Sequence, residues 1–167
     1  FSVPNVKIKI IIVDNSIKNI SFKLIKKLKK SFKYEIMQLH EKRRGVVYAR
    51  NKLLAKVKKL NPKFLCFFDD DCIIDHFWLK NVFKTMKSTN AEIITGPQIS
   101  LKHFLSNSHL INYSEFFEKK YKENINRVTW AASNNVFLTY DIIKKHKLIF
   151  DKNLNKFEIG EDQLFFL

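Results

Sequence analysis

Apolar and polar positions follow two different periods along this chain, and the switches between them lay out its elements. Val6 to Val13 is dominated by β-branched residues and runs into the polar group Asp14-Asn15-Ser16, which predicts a buried strand and its stop. From Ser21 to Phe32 the period lengthens. Phe22, Leu24, Ile25 and Leu28 form an apolar stripe opposite Lys26, Lys27, Lys29 and Lys30, which predicts a helix with a solvated lysine face. Tyr34 to Leu39 predicts a second strand. Val46, Ala49, Leu53, Val57 and Leu60 then recur at helical spacing until Asn61-Pro62 closes the helix. Phe64 to Phe68 predicts a third strand, His76 to Lys87 a helix, and Glu92 to Thr95 a strand ended by Gly96-Pro97. His103 to Glu123 mixes aromatic and polar residues without a clean period and reads as helix or lid-like loop. Ser133 to Leu138 predicts another strand, Tyr140 to His146 a helix, and Gly160-Glu161-Asp162-Gln163 the start of one more.

Alternation of strand and helix predicts an α/β domain with a mainly parallel central sheet, helices on both faces, and sites at the carboxyl ends of the strands. Asp14 and Asp69 both fall at such ends. With 167 residues, no internal repeat and no low-complexity linker, residues 1–167 are expected to form one domain with a real core. No apolar run has the length of a membrane-spanning helix, and no signal peptide is visible.

The formal charge of +15 changes the picture less than its size suggests. Lys, Ile, Asn and Phe are abundant together, as codon bias toward A and T would produce without selection for binding. After that discount the charge still favours anionic partners: nucleotide phosphates, a lipid-phosphate acceptor, an acidic membrane surface or nucleic acid. Cys66 and Cys72 form no CxxC or Cys/His pairing, which favours a reducing compartment and argues against structural zinc. The histidines show no paired ligand spacing, and none is assigned a role.

Asp69-Asp70-Asp71 follows directly on the apolar run Phe64 to Phe68. If strand alternation continues through it, Asp69 and Asp71 point the same way and Asp70 the other. Two carboxylates held that close need a cation, and hard oxygen ligands at a strand end suit Mg²⁺ or Mn²⁺ carrying a phosphate. The plain alternative is an acidic turn exposed to water, with Asp70 as a solvent-facing or helix-capping carboxylate.

A strand ending in Asp14-Asn15-Ser16, a strand ending in Asp69-Asp70-Asp71, and Gly160-Glu161-Asp162 stand in that order along the chain. The set resembles the family 2 glycosyltransferases of the GT-A fold. Arg44-Gly45 with Ala49-Arg50-Asn51 looks like the family's segment entering the nucleotide pocket, and Trp130 to Phe137 like the segment ahead of the acceptor site. The resemblance implies an inverting, metal-assisted transfer of a sugar from a nucleotide-diphosphate donor, a UDP-sugar, to a hydroxyl of a glycan or lipid-linked acceptor. It implies Asp71 as metal ligand, Asp69 on the metal through water or on the ribose, Asp14 and Arg50 on the nucleotide, and Asp162 as catalytic base with Glu161 beside it. Trp130 is placed against sugar or acceptor. For each, the plain alternative is an ordinary turn, a surface arginine, a core tryptophan, or acids opposing a helix dipole.

Phe1 to Lys7 is too short for the strand with which that family opens, and the chain stops at Leu167, just past Asp162. The resemblance therefore implies a GT-A domain shortened at both ends, located in the cytoplasm with peripheral contact at the inner membrane face. Two other classes compete with the enzyme: an inactive transferase fragment, and a basic binding module for nucleic acid or anionic membrane. The lysines are spread over successive helices without a recognition motif, so no specific nucleic-acid partner is expected.

Overall fold

A computed structural model describes residues 5–98, 127–156 and 160–166. The elements run β1 (Lys9–Asp14), α1 (Phe22–Ser31), β2 (Glu35–His40), α2 (Val46–Leu60), β3 (Phe64–Phe67), α3 (Trp78–Thr89), β4 (Ile93–Thr95), β5 (Val136–Thr139), α4 (Tyr140–His146), a 3-10 turn (Lys152–Lys156) and α5 (Glu161–Phe166). They gather into two compact units, Phe1–Phe64 with Thr139–Leu167, and Leu65–Leu138. The α/β class expected from the alternation stands.

In the first unit β1 and β2 pair in parallel, from Lys9 opposite Glu35 to Asp14 opposite His40. Helix α2 packs against β1 and α1 against β2. The strand expected to start at Val6 starts at Lys9, where a partner strand begins and Lys9 meets Glu35 at 2.9 Å. Asp14 is its last residue and sits inside the ladder. A strand persists only where its backbone groups find a ladder partner, so the pairing sets the boundary. Ile25, Ile36, Val47, Leu54 and Val57 form the core of this layer. Phe150 is wholly buried and stacks on Phe165 with ring centres 4.0 Å apart, which fastens α5 to the unit. Helix α2 stops at Asn61, whose left-handed backbone returns its N–H to Val57 O, and Pro62 follows.

Of the apolar stripe on α1 only Ile25 is buried, while Phe22, Leu24 and Leu28 are exposed. Among the described residues the sheet beside α1 has two strands, a narrow surface that Ile25 alone covers.

In the second unit β5 lies between β3 and β4, and β4 pairs with β5 antiparallel, Ile93 opposite Leu138 and Thr95 opposite Val136. The pairing is therefore mixed rather than mainly parallel. Val136, Phe137 and Leu138 are fully buried, and Phe137 meets Trp78 and Phe83 edge-on. The Trp78 indole N–H donates to Asn135 Oδ1 at 2.7 Å, tying α3 to the loop before β5. Helix α3 starts at Trp78 rather than His76, because Asp75 holds a preceding turn through the Phe77 and Trp78 N–H groups. The expected strand Ser133 to Leu138 runs from Val136 to Thr139. The segment His103 to Glu123 lies outside the described residues.

Candidate active site

Within the first unit, the carboxyl ends of β1 and β2 carry a polar cluster. Asp14 is buried, and both its oxygens are engaged: Ser16 donates its N–H and Oγ–H to Oδ1, and Ser21 does the same to Oδ2, at 2.5–2.8 Å. Burial pushes this carboxyl up, but the four hydrogen bonds outweigh it and hold the group well below the usual carboxylate range. Asp14 thus orders the loop from Asn15 to Ser21. His40 Nε2 lies 2.7 Å from Ser16 O and adds a tie across the two strand ends.

Glu41, absent from the sequence reading, is the second buried carboxylate of the cluster. Arg43 grips it with Nε and Nη2, each at 2.9 Å, and with its backbone N–H at 3.0 Å, and Lys52 stands 3.7 Å away. The Arg43 bonds hold the Glu41 carboxyl down at about 2 against the opposing effect of burial. In sequence Glu41 is set in the run Lys42-Arg43-Arg44 and reads as one more solvated charge. Asn15 fixes the same loop, donating to Glu41 O and Arg43 O and accepting from the Gly45 N–H at 2.9 Å.

Gly45 precedes α2 with φ +126° and ψ 142°, a conformation nearly confined to glycine. A Cβ there would run into the Asn155 side chain, whose Nδ2 donates to Arg44 O at 3.2 Å and whose buried Oδ1 has no hydrogen-bond partner among the described residues. Gly45→Ala is expected to cost about 1–3 kcal/mol, from backbone strain together with that collision. Urea unfolding measures it, and Asn155→Ala in the same chain should recover the collision part while leaving the strain. A cavity of about 270 Å³ opens beside this point, lined by Gly45, Val46, Val47, Leu154, Asn155 and Glu161.

Helix α2 carries the contact that joins the candidate catalytic pair. Arg50 Nη1 lies 2.8 Å from Glu161 Oε1 and 2.8 Å from Asp162 Oδ1, with side-chain exposures of 12, 11 and 20% respectively. Its guanidinium also sits 5.4 Å from the centre of the Phe150 ring. The next residue, Asn51, copies a backbone pairing: its Nδ2 donates to Phe150 O and its Oδ1 accepts from Phe150 N–H, at 2.8 and 2.9 Å. Gly160, at φ +87°, turns the chain into α5 so that both acids stand in its first turn. Arg50, Glu161 and Asp162 are thus brought together, and Arg50 meets carboxylates where a nucleotide contact is the sequence expectation.

The second unit holds Asp69, Asp71 and Trp130. Strand β3 ends at Phe67, and the chain then turns, with Cys72 N–H donating to Asp69 O at 3.3 Å. Strand alternation therefore does not set the directions of Asp69 and Asp71, contrary to the sequence argument. Three adjacent carboxylates are poor strand formers and gain hydration in a turn, and all three are exposed. Nearby charge from Asp71 adds to burial in raising the Cys72 thiol, while burial alone pushes the Cys66 thiol up to about 12. Among the described residues no group of three or more His, Cys, Asp or Glu side chains is gathered in a way that could hold a metal ion. Two exposed carboxylates suit a hard dication that keeps waters and takes its other ligands from phosphate oxygens. Trp130 is half-buried, next to buried Ala131.

Residues 2–145 match the model for glycosyl transferase family 2. The chain belongs to that family. Membership places its α/β architecture in the GT-A fold. Among curated relatives, glycosyltransferase AglE of Haloferax volcanii is 20% identical over 141 residues, 84% of this chain and 45% of that protein. Succinoglycan biosynthesis protein ExoM of Rhizobium meliloti is 26% identical over 91 residues, 54% of this chain and 28% of that protein. The chain spans less than half the length of either relative. No solved structure gives a significant match. The family match stops before Glu161 and Asp162, so their grouping with Arg50 rests on the structure.

Proposed function

We propose that this domain is an inverting glycosyltransferase, moving a sugar from a nucleotide-diphosphate donor, a UDP-sugar, to a hydroxyl of a glycan or lipid-linked acceptor. The supporting observation is the pairing of Arg50 with Glu161 and Asp162 at 2.8 Å. A general base must be ionised, oriented and reachable. The two Arg50 contacts fix the orientation of the carboxylates, and Asp162 keeps more exposure than Glu161. Asp162 takes the proton of the attacking hydroxyl at a carboxylate lone pair not used by Arg50. Glu161, on the wall of the 270 Å³ cavity, accepts a hydrogen bond from the acceptor.

Asp71, with Asp69, would hold Mg²⁺ or Mn²⁺. When bound, the ion neutralises the charge that builds on the leaving diphosphate. Asp14 presents the Asn15–Ser21 loop to the nucleotide rather than offering a vacant oxygen of its own, since each of its oxygens already accepts two hydrogen bonds. Trp130 offers an aromatic face to sugar or acceptor. The setting we infer is cytoplasmic, with peripheral contact at the inner membrane face.

The test is release of nucleoside diphosphate from a panel of nucleotide sugars with Mg²⁺ or Mn²⁺. One donor is expected to react. The same donor with Mn²⁺ should raise the melting temperature, and Asp71→Ala should remove that shift. No stabilisation by any common nucleotide would count decisively against the reading.

A further inference from the structure

Between Ile17 and Lys33 the chain carries seven lysines and no acidic residue. The same stretch exposes its apolar side chains. Ile20 is 76% exposed and Leu24 59%, and Leu28 and Phe32 continue the row at four-residue spacing. Ile17 and Phe22 are exposed beside it, and only Ile25 turns into the core. An isolated apolar side chain on a surface needs no explanation, but a contiguous row along one helix edge does. Lys23 and Lys27 border the row, and both are exposed.

We propose that α1 and the turn before it form a docking surface for an anionic lipid bilayer. It lies in the plane of the interface, with Ile20, Leu24, Leu28 and Phe32 entering the headgroup boundary and the lysines reaching lipid phosphates. The two halves of the surface select this occupant together. A basic helix with a large apolar edge is the pattern of interfacial binding, where apolar insertion and attraction to anionic headgroups add. Long lysine stems extend beside the apolar row and carry their charge to the headgroup level. A second copy of the chain is disfavoured, because pairing this edge with itself would bring two lysine-rich faces together. Nucleic acid would satisfy the lysines and leave the aliphatic row in water. The surface specifies the peripheral membrane contact of the functional reading and does not depend on its chemistry.

Co-sedimentation with vesicles tests it without any transfer assay, so failure here and failure of the transferase reading are separable. The chain is expected to sediment with phosphatidylcholine vesicles containing phosphatidylglycerol and to stay in solution with phosphatidylcholine alone. Ile20→Gln with Leu24→Gln, both at exposed positions, should weaken partitioning about tenfold or more with an unchanged melting temperature. Lys23→Gln with Lys27→Gln, the lysines bordering the row, should weaken it and flatten its salt dependence. No binding to anionic vesicles, equal binding to both vesicle types, or full binding by the Ile20/Leu24 variant would each overturn the proposal. So would a single-stranded oligonucleotide that binds while anionic vesicles do not.

Discussion

Asp162→Asn is expected to lower kcat by about 10²–10⁴-fold while the donor KM stays close to its original value. Asparagine keeps the shape of the side chain and a carbonyl oxygen that still accepts from Arg50, so the pairing at 2.8 Å has a successor. What it loses is the lone pair basic enough to take a proton as the acceptor oxygen attacks. Glu161→Gln removes a charge from the cavity wall and leaves the base in place, so its effect should fall more on the acceptor KM than on kcat. Steady-state kinetics varying each substrate in turn separate the two. An Asp162→Asn protein that turns over like the parent would show that the base lies elsewhere.

Arg50→Gln is expected to destabilise the fold by about 3–5 kcal/mol, because it removes the guanidinium that two largely buried carboxylates share. Glutamine can return one hydrogen bond but no charge. Urea unfolding gives the magnitude, and Arg50→Gln combined with Glu161→Gln should be less damaging than Arg50→Gln alone, since it removes one of the two stranded charges. Arg50→Lys tests geometry: an ammonium is a point charge and does not reproduce the planar fork over Phe150, so only part of the loss should return. Additive effects of the Arg50 and Glu161 changes would mean that the contact contributes nothing measurable.

Local features of this chain were readable where short-range physics decides them. Helix α2 spans Val46 to Leu60 as its spacing predicts, because apolar period, left-handed Asn61 and Pro62 all act within a few residues. Strand β3 ends within a residue of the expected place. The errors have a different origin. Amphipathic spacing on α1 identifies an apolar edge but not whether the fold has surface to cover it, and all but Ile25 of the stripe is left exposed. Alternation aligns Asp69 with Asp71 only while the strand continues, and the ladder stops at Phe67. Glu41 was hidden because a carboxylate among lysines and arginines reads as solvated until its burial is known.

From the sequence alone came the α/β alternation, the placing of acidic residues at or just past strand ends, and the family to which their order points. Each depends on residues a few positions apart, where backbone propensity and side-chain period act directly. Only the tertiary structure decided which charge each carboxylate answers to. Arg50 meets Glu161 and Asp162 across 111 and 112 positions, and Asn51 meets Phe150 across 99, distances at which no local pattern operates. A charge or a polar side chain acquires its partner, and with it its chemistry, when folding removes it from water and brings a distant group within reach.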